Sequence, residues 1–112
     1  MLLLDKLNDK AFQIYTLSTD TGQKITFTLK YMPAVQQWVY SIVFGTKIIN
    51  GKRLVCSPNV LRAHKDILPF GLAVTSIDIL EPQYIDDFTS GRISVYLLQT
   101  ADLAAIEASY YA

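Results

Sequence analysis

Apolar and polar residues alternate most regularly between Gln23 and Phe44. From Ile25 to Tyr31, large apolar residues occupy every second position and threonine or lysine fills the others, which is typical of a strand with one face on a core. Pro33 and the residues after it interrupt the pattern, and the apolar run resumes at Trp38. The stretch therefore predicts two adjacent strands joined by a short turn.

The second of these strands is apolar on both sides. Val39 and Val43 alternate with Trp38, Tyr40 and Ile42, and successive side chains of a strand point to opposite faces. Both faces should therefore be covered, although a chain of 112 residues has few further layers to cover them with. We therefore predict that Val39 and Val43 contact a partner subunit.

Turn residues and breaks in the pattern divide the rest of the chain. Asp20-Thr21-Gly22 and Asn50-Gly51 each predict a hairpin turn, and the change of phase at Thr75-Ser76 predicts a β-bulge. Apolar stretches predict further strands at residues 11–18, on both sides of Asn50-Gly51, at 72–80 and at 92–99.

Several short strands at this spacing predict an all-β fold, a small antiparallel β-sandwich or barrel of about six to eight strands. The alanine-rich end leaves room for a short C-terminal helix with Thr100 or Asp102 at its cap. We expect residues 1–112 to form a single domain, with an N-terminal arm at 1–10 and a C-terminal tail at 101–112.

The composition and the lengths of the apolar runs indicate where in the cell to expect the protein. Hydrophobic residues make up 51% of the chain and charged residues 18%, a surplus of apolar surface for a soluble monomer. No apolar run approaches the roughly 20 residues of a membrane helix, and the leucines after Met1 are too few for a signal peptide. We therefore expect a soluble protein made in the cytoplasm, with the lone Cys56 as a small buried residue.

The charges are separated along the sequence although they sum to zero. Residues 1–65 carry nine Lys and Arg against three Asp, whereas residues 66–112 carry only Arg92 against seven Asp and Glu. If the two halves occupy different faces, identical copies could dock plus-to-minus around a ring. If the strands interleave, the asymmetry disappears.

No combination of residues predicts a catalytic, cofactor or metal site. The only histidine, His64, could pair with Asp66, but a single histidine in a polar segment is usually solvated. Asp86 and Asp87 are adjacent and would point apart on an extended chain, so they do not predict a calcium site. We expect aspartates here to accept backbone N–H bonds, with Arg92 as an ion-pair partner.

A small OB-like barrel that binds single-stranded nucleic acid is the alternative function. Its candidates are Tyr15, Tyr40 and Phe44 with the basic stretch from Lys47 to Arg62, but the near-neutral pI and the acidic second half argue against it. An enzyme ranks third, because complementary catalytic groups are absent at any recognisable spacing.

The order of several short motifs resembles the plug proteins of contractile-tailed bacteriophage baseplates. The segments are FTLKYMPAVQQWVYSI, INGKRLVCSPNVLR, LPFG and EPQYIDDFTSGRISVYLL, and the resemblance covers roughly residues 23–99. The positions that carry the resemblance are Phe27, Tyr31, Trp38, Ile42, Gly51, Leu54, Val55, Leu61, Pro69, Gly71, Pro82, Asp86, Asp87, Phe88, Gly91, Arg92 and Tyr96.

The resemblance implies a non-enzymatic structural protein of the virion. It implies an all-β subunit at the centre of the tail baseplate, in contact with hub, tube and spike proteins and present in several copies. Together with the composition, it leads us to expect no cofactor and no membrane contact, and it argues against nucleic-acid binding.

Overall fold

The computed structural model describes residues 2–19, 21–64, 67–78 and 80–110. In these ranges the chain forms two antiparallel sheets, one with the strand order β2-β3-β4-β5 and one with the order β1-β7-β6. The elements are β1 (Leu2–Leu3), β2 (Phe12–Ser18), β3 (Lys24–Met32), β4 (Gln37–Phe44), β5 (Lys47–Arg53), a 3-10 turn (Arg62–His64), β6 (Gly71–Ser76), β7 (Ile93–Leu98) and α1 (Thr100–Tyr110).

The two sheets face each other across one main core, and they are not joined into a closed barrel. The predicted all-β class is confirmed, with the sandwich rather than the barrel as its form. The alternating residues of β3 and β4 fill the core from one side because their inward positions are all large and apolar. Side chains with at most 2% exposure include Ile25, Phe27, Leu29, Trp38, Ile42, Leu72, Ile93 and Leu97.

The three-stranded sheet is covered on its second face as well. Ala73 and Leu98 point away from the main core and pack with Ile106 of α1 in a separate cluster. Asp102 accepts a hydrogen bond from the Gln99 N–H at 3.1 Å. The predicted helix is thus confirmed, and Asp102 caps it from its third residue rather than from the cap position itself.

Asn50-Gly51 does not form a hairpin turn, which corrects the prediction. β5 runs through both residues, and the turn between β4 and β5 lies at Gly45 and Thr46. Between the pairs Ile42↔Ile49 and Tyr40↔Lys52, the register shifts, so that Asn50 and Gly51 form a bulge opposite Ser41. An Asn-Gly pair supplies positive φ to a turn or to a bulge, and the pairing with β4 decides between them.

The predicted bulge at Thr75-Ser76 is also wrong. β6 pairs with β7 in unbroken register from Gly71↔Leu98 to Ser76↔Ile93. The change of phase marks the end of the strand instead, because the chain leaves the sheet at Ile77, which is 81% exposed. The predicted β2–β3 hairpin is confirmed by its register, although Asp20 of its turn lies outside the described residues.

The outer edge of β6 is sealed by the segment that follows β5. Ser57 and Val74 form an isolated antiparallel bridge. The Asn59 side chain is 5% exposed, and its Oδ1 accepts the N–H groups of Leu61 and Leu72 at 3.0 and 3.3 Å. A Cβ at Gly71 would lie only 2.5 Å from the same Oδ1, so glycine is required for this contact.

We predict that Gly71→Ala destabilises the protein by about 1–3 kcal/mol, because the added methyl group overpacks the contact with Asn59. Urea denaturation measures the change. The same substitution in an Asn59→Ala background should cost clearly less, because the atom it strikes has been removed. Equal costs in both backgrounds would show that Asn59 does not constrain this position.

Candidate interaction surface

The outward-facing side of the four-stranded sheet, here called the outer face, has no covering layer among the described residues. Its side chains line up in cross-strand rows because β2 to β5 pair in register. One row consists of Phe12, Lys30, Val39 and Arg53, and another consists of Thr16, Thr26, Val43 and Ile48.

Large apolar side chains remain exposed along these rows. Phe12 is 58% exposed, Val43 39% and Ile48 68%, and Val39 is half-buried. A depression of about 690 Å³ crosses the face over β3 and β4. Contiguous apolar surface of this kind marks an interaction site more often than scattered exposed residues do.

Basic residues accompany the apolar ones. Lys30 and Arg53 flank Val39 on the neighbouring strands, about 4.8 Å away on either side. Residues 21–65 contain no Asp or Glu, and within the described ranges no ion pair involves Lys24, Lys30 or Arg53. The outer face therefore presents positive charge that the described part of the chain does not neutralise.

The acidic second half of the chain is largely engaged in internal contacts. Asp78 and Asp87 bind Arg92, Glu107 binds Arg62 at 3.0 Å, and Glu81 accepts the N–H of Cys56 at 2.6 Å. The second half contributes β6 and β7 to the three-stranded sheet and the first half contributes β1 to it and all of the four-stranded sheet, but these carboxylates do not supply a free acidic surface to match the basic one. Plus-to-minus docking of copies loses support for this reason.

The loop at residues 81–91 is held by the buried carboxylate of Asp87. This side chain is 1% exposed, and its Oδ2 accepts the N–H groups of Gln83 and Tyr84 at 2.7 and 2.9 Å. Its Oδ1 binds the Arg92 guanidinium at 2.7–2.8 Å. Asp87 thus has the role that the sequence predicts for an aspartate in this loop, whereas Asp86 is exposed.

Aromatic residues of the four-stranded sheet hold the same loop from its other side. The Tyr31 hydroxyl donates to the carbonyl of Gln83 at 2.8 Å, and Trp38 Nε1 donates to the carbonyl of Tyr84 at 3.0 Å. Phe88 packs on Trp38 with a ring separation of 4.8 Å. The peptide groups of two loop residues are therefore satisfied by side chains from both directions.

Arg92 extends this network to the segment before the loop. Its guanidinium donates to the carbonyls of Leu80 and Glu81 and to the carboxylate of Asp78, and it lies 5.2 Å from the Tyr84 ring. Gly91, with φ of +80°, turns the chain into β7 just before Arg92. A hydrogen bond from the Ser76 hydroxyl lowers the pKa of Asp78 and keeps it charged as a partner.

Several other motif positions lie in the hydrophobic clusters or at the start of the loop. Phe27, Ile42 and Leu54 lie in the main core, and Tyr96 packs near α1 on the opposite side of β7. Pro82 is buried at the start of the 81–91 loop.

Sequence reasoning found Val39 and Val43 but missed Phe12, Ile14 and Ile48 as exposed apolar residues. A signal was available for β2, because Phe12 and Ile14 alternate with Tyr15 and Leu17 and make that strand apolar on both sides, as in β4.

The aromatic residues of the nucleic-acid alternative do not form a stacking platform. Tyr40 is 4% exposed and belongs to the core, and burial raises its pKa. Phe44 packs edge-on against Phe70 with a ring separation of 5.3 Å. The Tyr15 hydroxyl is bonded to the Lys6 carbonyl at 3.0 Å, so all three side chains make contacts within the protein.

Chemically reactive side chains are few. Among the described residues, no group of three or more His, Cys, Asp and Glu could hold a metal ion. Burial, together with the Glu81 carboxylate, raises the pKa of the Cys56 thiol and makes it less nucleophilic. The suggested partner of His64, Asp66, lies outside the described residues. No helix in the described ranges has the length and apolarity needed to cross a membrane.

Comparison with known protein families decides the relationship. The sequence profile of a family described as cyanophage baseplate Pam3 plug gp18 matches residues 2–100. The chain belongs to this baseplate plug family. The resemblance seen in the sequence is thereby confirmed, and the match extends further toward the N-terminus than the motifs do. A search of the curated proteins gave no match.

Family membership indicates where the protein is found. The plug is a component of the phage tail, and its place is the baseplate of the virion, among other tail proteins. A component of the baseplate interacts with other baseplate or tail proteins.

We predict that Asp87→Ala destabilises the plug by about 2–4 kcal/mol, because it leaves the N–H groups of Gln83 and Tyr84 without their acceptor and removes one of the carboxylates that bind Arg92. Chemical denaturation measures the loss. Asp86→Ala is the matched control, since this neighbouring carboxylate is exposed and should change stability by less than about 0.5 kcal/mol. Similar losses for both variants would contradict the assignment of Asp87 as the anchor.

Proposed function

We propose that the protein is a structural, non-enzymatic plug subunit that binds neighbouring baseplate proteins through the outer face of its four-stranded sheet. The neighbours are hub, tube or spike proteins at the centre of the baseplate, together with copies of the plug itself. The chain acts as a single β domain with residues 1–10 as an arm and 101–112 as a tail, and it is made in the host cytoplasm before assembly.

The observation that carries this proposal is the uncovered outer face with Val39 and Val43 at its centre. The one α-helix in the described ranges packs on the three-stranded sheet. The apolar rows of the other sheet thus remain available for another subunit, as expected for a protein that gains part of its buried surface on assembly.

The charge of the face indicates the chemistry of its partner. Lys30 and Arg53 flank the central valine, so a partner with an apolar centre and carboxylates around it would be complementary. Such contacts between exposed charges weaken with salt. We therefore expect plug binding to its neighbours to weaken as the ionic strength rises, while the apolar contribution persists.

The test replaces one central side chain in the phage. Val43→Gln keeps the fold, because the residue is 39% exposed, but it puts an amide where a partner would bury a methyl surface. We expect the plug content of purified tails, measured by quantitative mass spectrometry, to fall, and binding to purified baseplate neighbours to weaken about tenfold.

Ile77→Gln is the matched control. Ile77 is more exposed, at 81%, and follows β6 of the other sheet, so its replacement should leave assembly unchanged. Normal incorporation of the Val43→Gln protein, or equal losses for both variants, would contradict the proposal that the outer face is the docking surface.

A further inference from the structure

The strand edges of the two sheets are protected unequally. In β6 the edge is sealed by Ser57 and Val60, and β1 has two residues only. β5 carries Lys47, Lys52 and Arg53 and contains a bulge, and such charges and bulges are known devices against unwanted strand pairing. The remaining edge strand, β2, has none of these devices.

β2 is a regular seven-residue strand, FQIYTLS, without charge or proline, and it pairs with β3 in unbroken register. The Ala11 carbonyl accepts the Tyr31 N–H and the Thr19 N–H donates to the Gln23 carbonyl, so the backbone N–H and C=O groups of the odd-numbered residues face β3. The backbone groups of Phe12, Ile14 and Thr16 therefore point outward. Within the described ranges, no other segment donates to or accepts from these groups.

The space beside this edge is open, and most of the residues that line it are apolar, with Asp5 and Lys6 among the others. A groove of about 410 Å³ separates β2 from residues 2–7, at the side where the sandwich is not closed. Ile14 and Leu2, which both line the groove, are each 56% exposed. An uncharged edge with unpaired backbone groups and exposed apolar side chains is a template for strand addition.

We propose that β2 pairs antiparallel with β2 of a second copy of the plug, joining the two four-stranded sheets edge to edge. This inference specifies how copies of the plug associate, and it rests on the proposed function only in that respect. A two-fold register with Tyr15 at its centre uses the outward backbone groups of Phe12, Ile14 and Thr16, and also those of Ser18, whose carbonyl already accepts one hydrogen bond from the Gln99 side chain at 3.3 Å. It sets Ile14 opposite Thr16 of the second copy and Phe12 opposite Ser18 of the second copy, so large side chains meet small ones.

A second copy fits this edge better than a foreign strand does, because β2 lacks any charge by which an oppositely charged partner would be selected. The basic residues do not oppose the pairing either. In the proposed register, Lys30 and Lys24 of the second copy lie three strand spacings apart, about 14 Å. This distance exceeds the screening length of about 8 Å at physiological ionic strength.

The test uses the purified full-length chain. Sedimentation velocity over a range of concentrations should show a dimer with a dissociation constant of roughly micromolar magnitude, since a single strand pair buries less than a standard interface. Amide exchange followed by NMR should show the N–H groups of Phe12, Ile14 and Thr16 becoming protected as the dimer forms. A chain that stays monomeric while these amides exchange freely would overturn the inference.

Two variants and one control locate the contact. Thr16→Pro removes an outward donor without breaking a β3 bond, and Ile14→Lys places two like charges close together at the edge. Each should weaken the dimer at least about tenfold. Ile48→Lys, on the same face but on β5, should leave it unchanged. If Thr16→Pro impairs folding, Ile14→Lys decides alone.

The outcomes also separate this inference from the proposed function. A dimer that survives Ile14→Lys, or protection of the β2 amides only when a different baseplate protein is added, overturns the second copy as the occupant. Either result leaves the outer face untouched, because that surface is tested by Val43→Gln in tails. Normal incorporation of the Val43→Gln protein into tails would instead contradict the outer face as the docking surface, and it would not affect the inference about β2 pairing.

Discussion

The carboxylate of Asp87 accepts the N–H groups of Gln83 and Tyr84, while side chains of the four-stranded sheet bind the carbonyls of the same two residues. A carboxylate that is 1% exposed would be costly without a cation, and Arg92 supplies the cation. The ion pair thus explains why an acidic residue, an arginine and an aromatic strand belong to one structural unit. The unit seats the 81–91 loop on Trp38 and closes that end of the sandwich.

The two sheets differ in how their second faces are used, and this difference is the basis for a role in assembly. α1 covers the three-stranded sheet through Ile106, whereas the four-stranded sheet keeps its apolar rows exposed. Most acidic residues of the second half are engaged in internal contacts, so the basic character of the outer face remains unmatched within the described chain. A surface of this composition is typical of a subunit that is stabilised by binding to other proteins.

The strands could be predicted where the two-residue period is clean, as in β3 and β7, because that period is a local property of the chain. The hairpin turn predicted at Asn50-Gly51 was wrong because a positive φ occurs in turns and in bulges alike. Only the pairing with β4 distinguishes the two. The bonds from Tyr31 and Trp38 to the loop span 52 and 46 residues, so no local signal could reveal them. The sequence predicts surplus apolar faces, but which sheet the helix covers is decided by tertiary packing.

The attachment of α1 gives the protein a part that can open by itself. Ile106 is the one residue of the helix that is buried, and the ion pair between Arg62 and Glu107 is partly exposed, so its screened attraction contributes little. Local unfolding of α1 should therefore require much less free energy than unfolding of the sandwich. Unfolding of α1 would expose Ala73 and Leu98. The three-stranded sheet would then present an apolar surface of its own to neighbouring proteins in the tail.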